Sequence, residues 1–201
     1  MNSTKNNGNI IRDIMVLAAM IALSYIASSL TGLTLSVPVL YLYVSAGLSM
    51  MISAIFFMVA ANRINRHGIL LVWAIVTGLT YLLMAYGFML PYFVVLGVVC
   101  ELTMIGKDTY KNPIRTTIGW SVYGIGMMLG NAYPVWMAWD EFLESAPADG
   151  FSDKLLEMEY QLYTEPMLLV LGCVITIILT VIGCVIANNI LKRHFKKSGA
   201  I

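Results

Sequence analysis

Residues 14–62 read IMVLAAMIALSYIASSLTGLTLSVPVLYLYVSAGLSMMISAIFFMVAAN, without a single Asp, Glu, Lys or Arg. A membrane-spanning helix needs about 20 apolar residues. The stretch is long enough for two such helices, and the segment from Thr31 to Pro38 supplies the break between them. Over the whole chain, hydrophobic residues make up 59% and charged residues 11%, and the mean hydropathy is +0.81. A water-soluble domain with so little charge would expose large apolar patches, so the sequence indicates an integral membrane protein.

The remaining predicted spans lie in uncharged runs at 67–100, 116–139 and 166–191. The first of these runs is tight for two helices, but Gly87 and Pro91 mark a turn within it. We therefore predict an all-α integral membrane protein, a six-transmembrane-helix bundle that forms a single membrane domain over residues 1–201. The predicted spans, in chain order, cover about 13–31, 38–61, 68–86, 90–106, 115–139 and 166–191.

Basic and acidic residues lie on opposite sides of this six-span layout. Every Lys and Arg except Lys154 falls before the first span, between the second and third, between the fourth and fifth, or after the sixth. By the positive-inside rule, that side is cytoplasmic. Both termini are therefore predicted to be cytoplasmic, in a multi-pass protein of the cell membrane.

The loop 140–165, between the fifth and sixth spans, is predicted to be extracellular. It contains eight of the eleven acidic residues, namely Asp140, Glu141, Glu144, Asp149, Asp153, Glu157, Glu159 and Glu165. An apolar stripe predicts a short amphipathic helix that Ser152 or Asp149 could cap; its members are Phe151, Leu155, Leu156, Leu162 and Tyr163. Two interpretations remain open: a solvated acidic loop whose helix rests on the bundle, and a lid over an external binding site.

The chain lacks the residue patterns of common enzymes. Its two histidines, His67 and His194, belong to no zinc-binding spacing, and neither a GxSxG motif nor a Walker A loop occurs. Its three cysteines lie in apolar stretches and form no CxxC pair, which is typical of packed hydrophobic residues. We therefore expect no enzymatic activity, no catalytic residues, no metal and no cofactor.

Glu101 is the one acidic residue that falls well inside a predicted span. A carboxylate within the membrane is costly and is by default a candidate for function, here as a proton-coupling group. The structural alternative is that Glu101 pairs with Lys107 or Arg115, or reaches the cytoplasmic interface. A single acid is thin support for a proton-coupled pump, so we favour the structural alternative.

The fifth predicted span contains the glycine motif Gly126-x-x-x-Gly130, which permits close approach to a neighbouring helix. Pro134 cannot donate a hydrogen bond to the carbonyl of Gly130, so we expect a kink and a free acceptor near the outer third of the membrane.

Polar and aromatic residues surround that point, namely Asn131, Tyr133, Trp136, Trp139 and Asp140. Tyr133, Trp136 and Asp140 follow i, i+3, i+7 spacing and are predicted to share a face. A free carbonyl, an amide and aromatic rings at the outer mouth would suit a small organic ligand. The alternative is an aromatic belt at the membrane interface, which explains Trp139 well and Asn131 badly.

The first span carries Ala18 and Ala22 at i, i+4 spacing, among other small residues. Small side chains at this spacing let another helix pack closely. That helix belongs either to the same bundle or to a second protein, and the spacing alone favours the bundle.

The layout and several local motifs resemble the S components of energy-coupling factor (ECF) transporters, and among them the MptD-type, or Trep_Strep, S components. The most specific match is the ending ILKRHFKKSGAI at 190–201, which is similar to that family's basic LKKHFxKAG ending and departs from it only by a harmless change at Ser198. Glu101-Leu102, the AxxxA of the first span, the long outer loop and Thr164-Glu165-Pro166 also fit. The resemblance covers nearly the whole chain, although its motifs are short.

The resemblance implies a substrate-binding subunit for a micronutrient or vitamin-like small molecule in the bacterial plasma membrane, with no nucleic-acid partner. Such a subunit docks on a membrane T component, and through it on two cytoplasmic ATPases. The family's docking contact would correspond to Ala18 and Ala22. Its ligand sites lie on the outer side, between the fourth to sixth spans, and Tyr92 completes the candidate ligand-binding set. The aromatic residues and the acidic loop favour a flat or cationic ligand.

A function of another class remains as an alternative. Glu101 could serve as the proton site of a stand-alone secondary transporter or channel, which would work without ATPases.

Overall fold

The computed structural model describes residues 2–31, 37–84, 86–145 and 152–195, and the described chain is helical throughout, with no strand. The helices are α1 (Asn2–Ser28), α2 (Pro38–Ile64), α3 (Ile69–Leu83), α4 (Met89–Leu102), α5 (Pro113–Met137), α6 (Trp139–Ser145), α7 (Asp153–Thr164) and α8 (Pro166–Ile190). A 3₁₀ turn, Thr109–Lys111, precedes α5, and a π-helical turn, Leu191–Phe195, follows α8.

Three of the described helical segments are long and apolar enough to cross a membrane: Ile10–Thr31, Tyr41–Ile64 and Pro166–Arg193. α3 and α4 are apolar but have only 15 and 14 residues, and α5 has 25 residues with a more polar sequence. The prediction of an all-α membrane protein is confirmed. The number of spans and the side on which the termini lie stay predictions.

Local residue chemistry explains where the helices start and stop. Pro38, Pro113 and Pro166 each occupy the first helical turn, where the missing N–H is not needed. The side chain of Asn112 caps α5 by accepting from the backbone N–H groups of Ile114 and Arg115, which sets the start of α5 two residues before the predicted one.

The largest boundary error concerns α1. It begins at Asn2, eleven residues before the predicted start at residue 13, because helix formation continues into a polar segment that hydropathy excludes. Hydropathy measures whether a segment can enter a bilayer, and a helix is free to extend beyond it.

Aromatic rings from three helices form the centre of the bundle. Trp120 of α5 stacks on Phe57 of α2, with ring centroids 4.2 Å apart, and meets Trp73 of α3 edge-on. Its indole N–H donates to the carbonyl oxygen of Met50 at 3.1 Å, which satisfies the one polar group of a fully buried side chain. This contact holds α5 against α2.

A hydroxyl network joins α1, α3 and α5. Tyr25 donates to Thr77 Oγ1 at 2.7 Å, and the hydroxyls of Thr77 and Tyr123 also lie 2.7 Å apart. Thr80 adds a contact to the Tyr25 hydroxyl at 3.3 Å. Hydrogen bonds between helices in a membrane protein contribute about 0.6 kcal/mol each on average.

Glycines allow the closest helix contacts. A Cβ atom on Gly183 of α8 would lie 2.5 Å from the carbonyl oxygen of Met51 in α2, so only glycine fits there. In the predicted Gly126-x-x-x-Gly130 motif, added Cβ atoms would meet the side chains of Leu96 and Tyr92 in α4. The motif therefore accommodates α4 side chains.

The two ends of the bundle differ in charge. We call the end that contains the start of α1, the α2–α3 turn and the α4–α5 connection the basic end. There Arg66 Nε lies 3.2 Å from Asp13 Oδ2, and Asn65 donates to Asp108 Oδ1. We call the opposite end, which carries α6 and α7, the acidic end. Within the described residues, Lys154 is its only basic residue.

Candidate ligand-binding site

The segment after α5 folds into two helices rather than one long loop. The backbone of Ala138, at φ −151° and ψ 41°, ends α5, and α6 begins at the next residue. The Ser152 hydroxyl accepts from Leu155 N at 3.3 Å and caps α7, as the sequence predicted; the alternative cap, Asp149, and Phe151 lie outside the described residues.

α7 packs on the bundle through one face. Its buried residues are Leu155, Leu156, Glu159, Leu162 and Tyr163, spaced as one helical stripe. Leu155, Leu162 and Tyr163 belong to the same apolar cluster as Leu42 of α2 and Met128 of α5. Asp153 and Glu157 are exposed, so this part of the predicted loop is a helix seated over the end of the bundle.

Beneath α7 lies a cavity of about 380 Å³. This volume falls in the range of small-molecule sites, about 300–1,000 Å³. Its polar lining comes from α2, α3, α5, α7 and the α3–α4 turn, and consists of Tyr41, Ser45, Tyr81, Tyr86, Asn131, Glu159 and Tyr163. Leu42, Met84, Met89 and Phe142 add apolar surface. No Lys, Arg or His from the described ranges lines it.

Glu159 is the unusual member of this lining. Its side chain is only 5% exposed, and within the described structure its Oε2 atom has no hydrogen-bond partner. Burial away from water raises the pKa of this carboxyl group from 4.5 to about 8. The group can therefore carry a proton at neutral pH, and it can be ionised if a positive charge enters the cavity.

Asn131 and Tyr163 connect α5 to α7 at the cavity wall. The Asn131 side chain hydrogen-bonds with the Tyr163 hydroxyl, whose pKa burial raises well above its ordinary value. Both residues line the cavity. Pro134 and Gly130 lie in the same wall, and Pro134 lacks the N–H that the Gly130 carbonyl would otherwise receive. Asn131 therefore lines a cavity at the acidic end, and its role in ligand binding stays a prediction.

The other aromatic candidates of α5 and α6 do not line this cavity. Trp136 is 48% exposed, and its indole N–H donates to the carbonyl of Tyr163 at 2.8 Å, so it fastens α7 to α5. Trp139 packs on Phe142 and Tyr160. Asp140 is exposed on α6. The face predicted to unite Tyr133, Trp136 and Asp140 is not formed, because the backbone at Ala138 breaks the helix.

Tyr92 and Tyr133 form a neighbouring aromatic contact between α4 and α5. Their rings lie 5.5 Å apart, and Tyr133 also stacks on Phe88. The Tyr92 hydroxyl donates to the carbonyl of Gly126 at 2.6 Å. These two residues therefore support the cavity wall from behind.

Glu101 has structural partners at the basic end. Its Oε1 atom accepts from the backbone N–H groups of Leu70 and Leu71, at 2.9 and 3.3 Å, and from the Tyr110 hydroxyl. Glu101 thus caps the first turn of α3 from another helix, where a negative charge also complements the helix dipole.

The cation partners predicted for Glu101 are wrong. Arg115 donates instead to the carbonyl oxygens of Thr103 and Ile105, and Lys107 is exposed, with no ion pair to Glu101 in the described structure. The Glu101 carboxylate accepts from backbone N–H groups of α3 instead of pairing with Lys107 or Arg115.

Ala18 and Ala22 lie on the exposed face of α1. Leu17, Ile21 and Ser24 form the buried face against the bundle, so the two alanines point away from it. Met15 and Ile26 flank them, 67% and 69% exposed. The interpretation that these alanines pack inside the bundle is therefore wrong.

Sequence reasoning missed the residues that matter most in the cavity. Tyr41, Tyr81 and Glu159 come from three helices that are distant in sequence. Glu159 had a signal, because it falls in the apolar stripe of α7, where a solvated acid would not be expected. The tyrosines of α2 and α3 had none, since Tyr residues in apolar helices are equally typical of an interface belt.

The fold and this site define a helical integral membrane protein with a small-molecule cavity at one end. A model of the family described as hypothetical bacterial integral membrane protein (Trep_Strep) matches residues 11–197. The match spans most of the chain, and the protein belongs to this family. No curated protein and no solved structure matches the chain.

Proposed function

We propose that the protein is the substrate-binding membrane subunit of an ECF-type importer in the bacterial plasma membrane. In this role it crosses the membrane several times, binds a micronutrient-like small molecule at the acidic end and docks through α1 on a membrane T component. Two cytoplasmic ATPases bound to the T component supply the energy. The observation that carries the proposal is the cavity beneath α7, a site of small-molecule size at one end of an apolar bundle.

The position of α7 over the cavity supports binding, because this helix can act as its cover. α7 contacts the bundle through a narrow apolar stripe and is fastened at one end by Trp136. If α7 opened, the cavity would be accessible from the acidic end, which the charge pattern predicts to lie outside the cell. This arrangement favours the lid interpretation of residues 140–165.

The exposed face of α1 supports docking. Its small residues Ala18 and Ala22 are exposed there, beside the larger exposed side chains of Met15 and Ile26. Next to this face, Arg12, Ala19 and Arg63 help to line an open groove between α1 and α2. Small residues on a helix face let a second membrane helix approach closely.

The role needs no chemistry from the chain itself. In the described structure no group of three or more His, Cys, Asp or Glu side chains is placed to hold a metal ion. We propose a binding subunit without enzymatic activity, tested by whether its ligand leaves the protein chemically unchanged.

The experiment is co-purification of the tagged protein with its T component and ATPases. Replacing Ala18 and Ala22 by Trp adds bulk to the proposed contact, so we expect complex assembly and ATP-dependent uptake to be lost. The matched control is Val95→Trp with Val99→Trp, an exposed i, i+4 pair on α4. Assembly of the alanine double variant at the parent level would overturn the docking proposal.

A complementary pair separates binding from docking. Asn131→Ala with Trp136→Ala removes a cavity amide and the fastening of α7 to α5. We expect this variant to assemble normally and to transport poorly. Loss of assembly in both double variants, with normal folding, would contradict a division of labour between the two ends.

The alternative of a stand-alone transporter that uses Glu101 receives less support. The Glu101 carboxylate is engaged by two backbone N–H groups and a tyrosine hydroxyl, which is the bonding of a helix cap. Uptake by the purified chain alone in proteoliposomes, driven by an ion gradient without ATP, would favour this alternative.

A further inference from the structure

The cavity contains an acid that can become the counter-charge of a bound cation. Glu159 is its only acidic side chain, and no basic side chain from the described residues lines it. Lys154, the nearest basic residue along α7, is exposed. A buried carboxyl group is normally paired or hydrogen-bonded, because burial without a partner is unfavourable. The Oε2 atom, which has no hydrogen-bond partner in the described structure, can therefore interact with a ligand in a cavity large enough to hold one.

The remaining lining is suited to a planar cation. Tyr41, Tyr81, Tyr86 and Tyr163 surround the cavity with aromatic rings. The faces of such rings attract cations and stack on flat groups. Asn131 and Ser45 supply neutral hydrogen-bonding groups that can orient a ligand without opposing its charge.

We propose that the cavity binds a small planar organic cation, of the amidinium or aryl-ammonium class, whose charge is neutralised by Glu159. The proposal rests on the proposed function only for the ligand's transport; binding itself needs this chain alone. A strongly anionic ligand is disfavoured, because it would place a second negative charge beside a carboxyl group with no basic residue to balance it.

Binding of this kind releases a proton. Because burial raises the pKa of Glu159 to about 8, the empty site holds a neutral acid below that pH. A cation binds to the ionised form, so the carboxyl proton passes to solvent and the cation takes its place. Affinity for a permanent cation should then increase about tenfold for each unit by which the pH rises toward 8, and it should level off above pH 8.

The other polar groups that line the cavity with Glu159 are hydroxyls and an amide, and none of them is a carboxyl or basic group. They include the hydroxyls of Tyr41 on α2, Tyr81 on α3, Tyr86 in the α3–α4 turn and Tyr163 on α7, together with the amide of Asn131 on α5. A tyrosine hydroxyl has an ordinary pKa of about 10, and α6 contributes only Phe142.

The test uses three probes of nearly equal size and different charge: benzamidinium, benzamide and benzoate. Their binding to the purified full chain in nanodiscs is measured by calorimetry between pH 6 and 8.5. We expect benzamidinium to bind at least tenfold more tightly than benzamide at pH 8 and benzoate to bind weakest. Only benzamidinium should bind more tightly as the pH rises. Near pH 6.5 its binding should release close to one proton, seen as a dependence of the binding heat on the buffer.

The Glu159→Gln variant assigns the effect to this residue. It should lose the preference for benzamidinium and the proton release while it keeps the weak binding of benzamide. The matched control, Glu157→Gln, changes an exposed acid on the same helix and should behave like the parent. If Glu159→Gln does not fold, the proton release measured on the parent protein still shows whether a carboxyl group is ionised when the cation binds.

Equal binding of benzamide and benzamidinium, no binding by any probe, or a pH slope that persists in Glu159→Gln would overturn the proposal. None of these outcomes decides whether the protein is an importer subunit. ATP-dependent uptake of a neutral or anionic compound would retain the importer role and reject the cation site. Cation binding without assembly on a T component would retain the cation site and reject the importer role.

Discussion

Glu101 and Glu159 show, at the scale of single residues, how differently one chain can place two carboxyl groups. Glu101 accepts hydrogen bonds from the start of α3 and from Tyr110, and burial, together with contact with the carboxylate, raises the pKa of that tyrosine. Glu159 keeps one oxygen without a partner in a cavity. The first stabilises a helix end, and the second is available to a ligand.

Removal of the Glu101 side chain should destabilise the fold without affecting the cavity. In Glu101→Ala the N–H of Leu70 and the Tyr110 hydroxyl lose their acceptor, and an unsatisfied buried group costs about 1–3 kcal/mol. Glu101→Gln keeps an acceptor oxygen and should lose less. Thermal unfolding in detergent measures both, with Lys107→Ala as the control that leaves these hydrogen bonds intact. A fully stable Glu101→Gln that no longer transports would point instead to a coupling role.

Glu159 should make stability depend on pH. Because folding raises its pKa from 4.5 to about 8, the folded protein binds more protons than the unfolded protein within this window. The free energy of unfolding therefore falls as the pH rises from about 4.5 to 8, by about 1.4 kcal/mol per unit of pKa shift. The stabilisation that comes from protonated Glu159 is complete below about pH 4.5 and absent above about pH 8.

The measurement is the difference in Tm between the parent and Glu159→Gln across this pH range. The difference isolates the contribution of Glu159 from those of the ionisable groups that both proteins share. A pH-independent difference would mean that folding leaves the pKa of Glu159 near its ordinary value.

At the scale of helices, close packing between α2 and α8 depends on glycine. Gly183→Ala would place a Cβ atom 2.5 Å from the carbonyl oxygen and 2.6 Å from the Cα atom of Met51, which are backbone atoms that cannot rotate away. Overpacking of this kind costs about 1–3 kcal/mol. We expect a clear fall in Tm.

Gly172→Ala is the matched control on the same helix. Its added Cβ atom meets the terminal methyl group of Met128, a flexible side chain that can move at little cost. A drop in Tm as large as that of Gly183→Ala would show that helix propensity or general crowding, rather than contact with the α2 backbone, decides the outcome.

At the scale of the whole molecule, the segregation of charge predicts which end faces the cytoplasm. Single cysteines in place of Arg66 and Lys111, both exposed at the basic end, should react with a membrane-impermeant thiol reagent only from the cytoplasmic side. A cysteine in place of the exposed Glu157 should react only from outside. Lys111 is chosen in place of its neighbour Tyr110, because Tyr110 is 1% exposed and a cysteine there would not be accessible to the reagent.

The native thiols must first be removed. Cys100 and Cys184 are buried, but Cys173 is partly accessible, so the labelling uses a background with all three replaced by Ala. External labelling at position 66 or 111 would contradict the predicted orientation.

The sequence by itself determined the class of protein and the path of its main helices. Long uncharged runs must be helical and buried in lipid or protein, because a bilayer offers no water to satisfy backbone groups. The same local logic located the cap at Ser152, since capping involves only residues two or three apart. The basic ending and the family resemblance also needed the sequence alone, and the match over residues 11–197 confirms the family.

Only the tertiary structure decided which side chains meet. Tyr41, Tyr81, Asn131 and Glu159 line one cavity although more than 100 residues separate the first from the last. The break at Ala138 turned Asp140 away from α5, and the rotation of α1 exposed Ala18 and Ala22. Hydrophobic periodicity gives each helix a preferred face, but lipid and protein interior are both apolar, so the sequence of a membrane helix does not reveal which face contacts which. That choice depends on side-chain packing between helices, such as the fit of Gly183 against Met51.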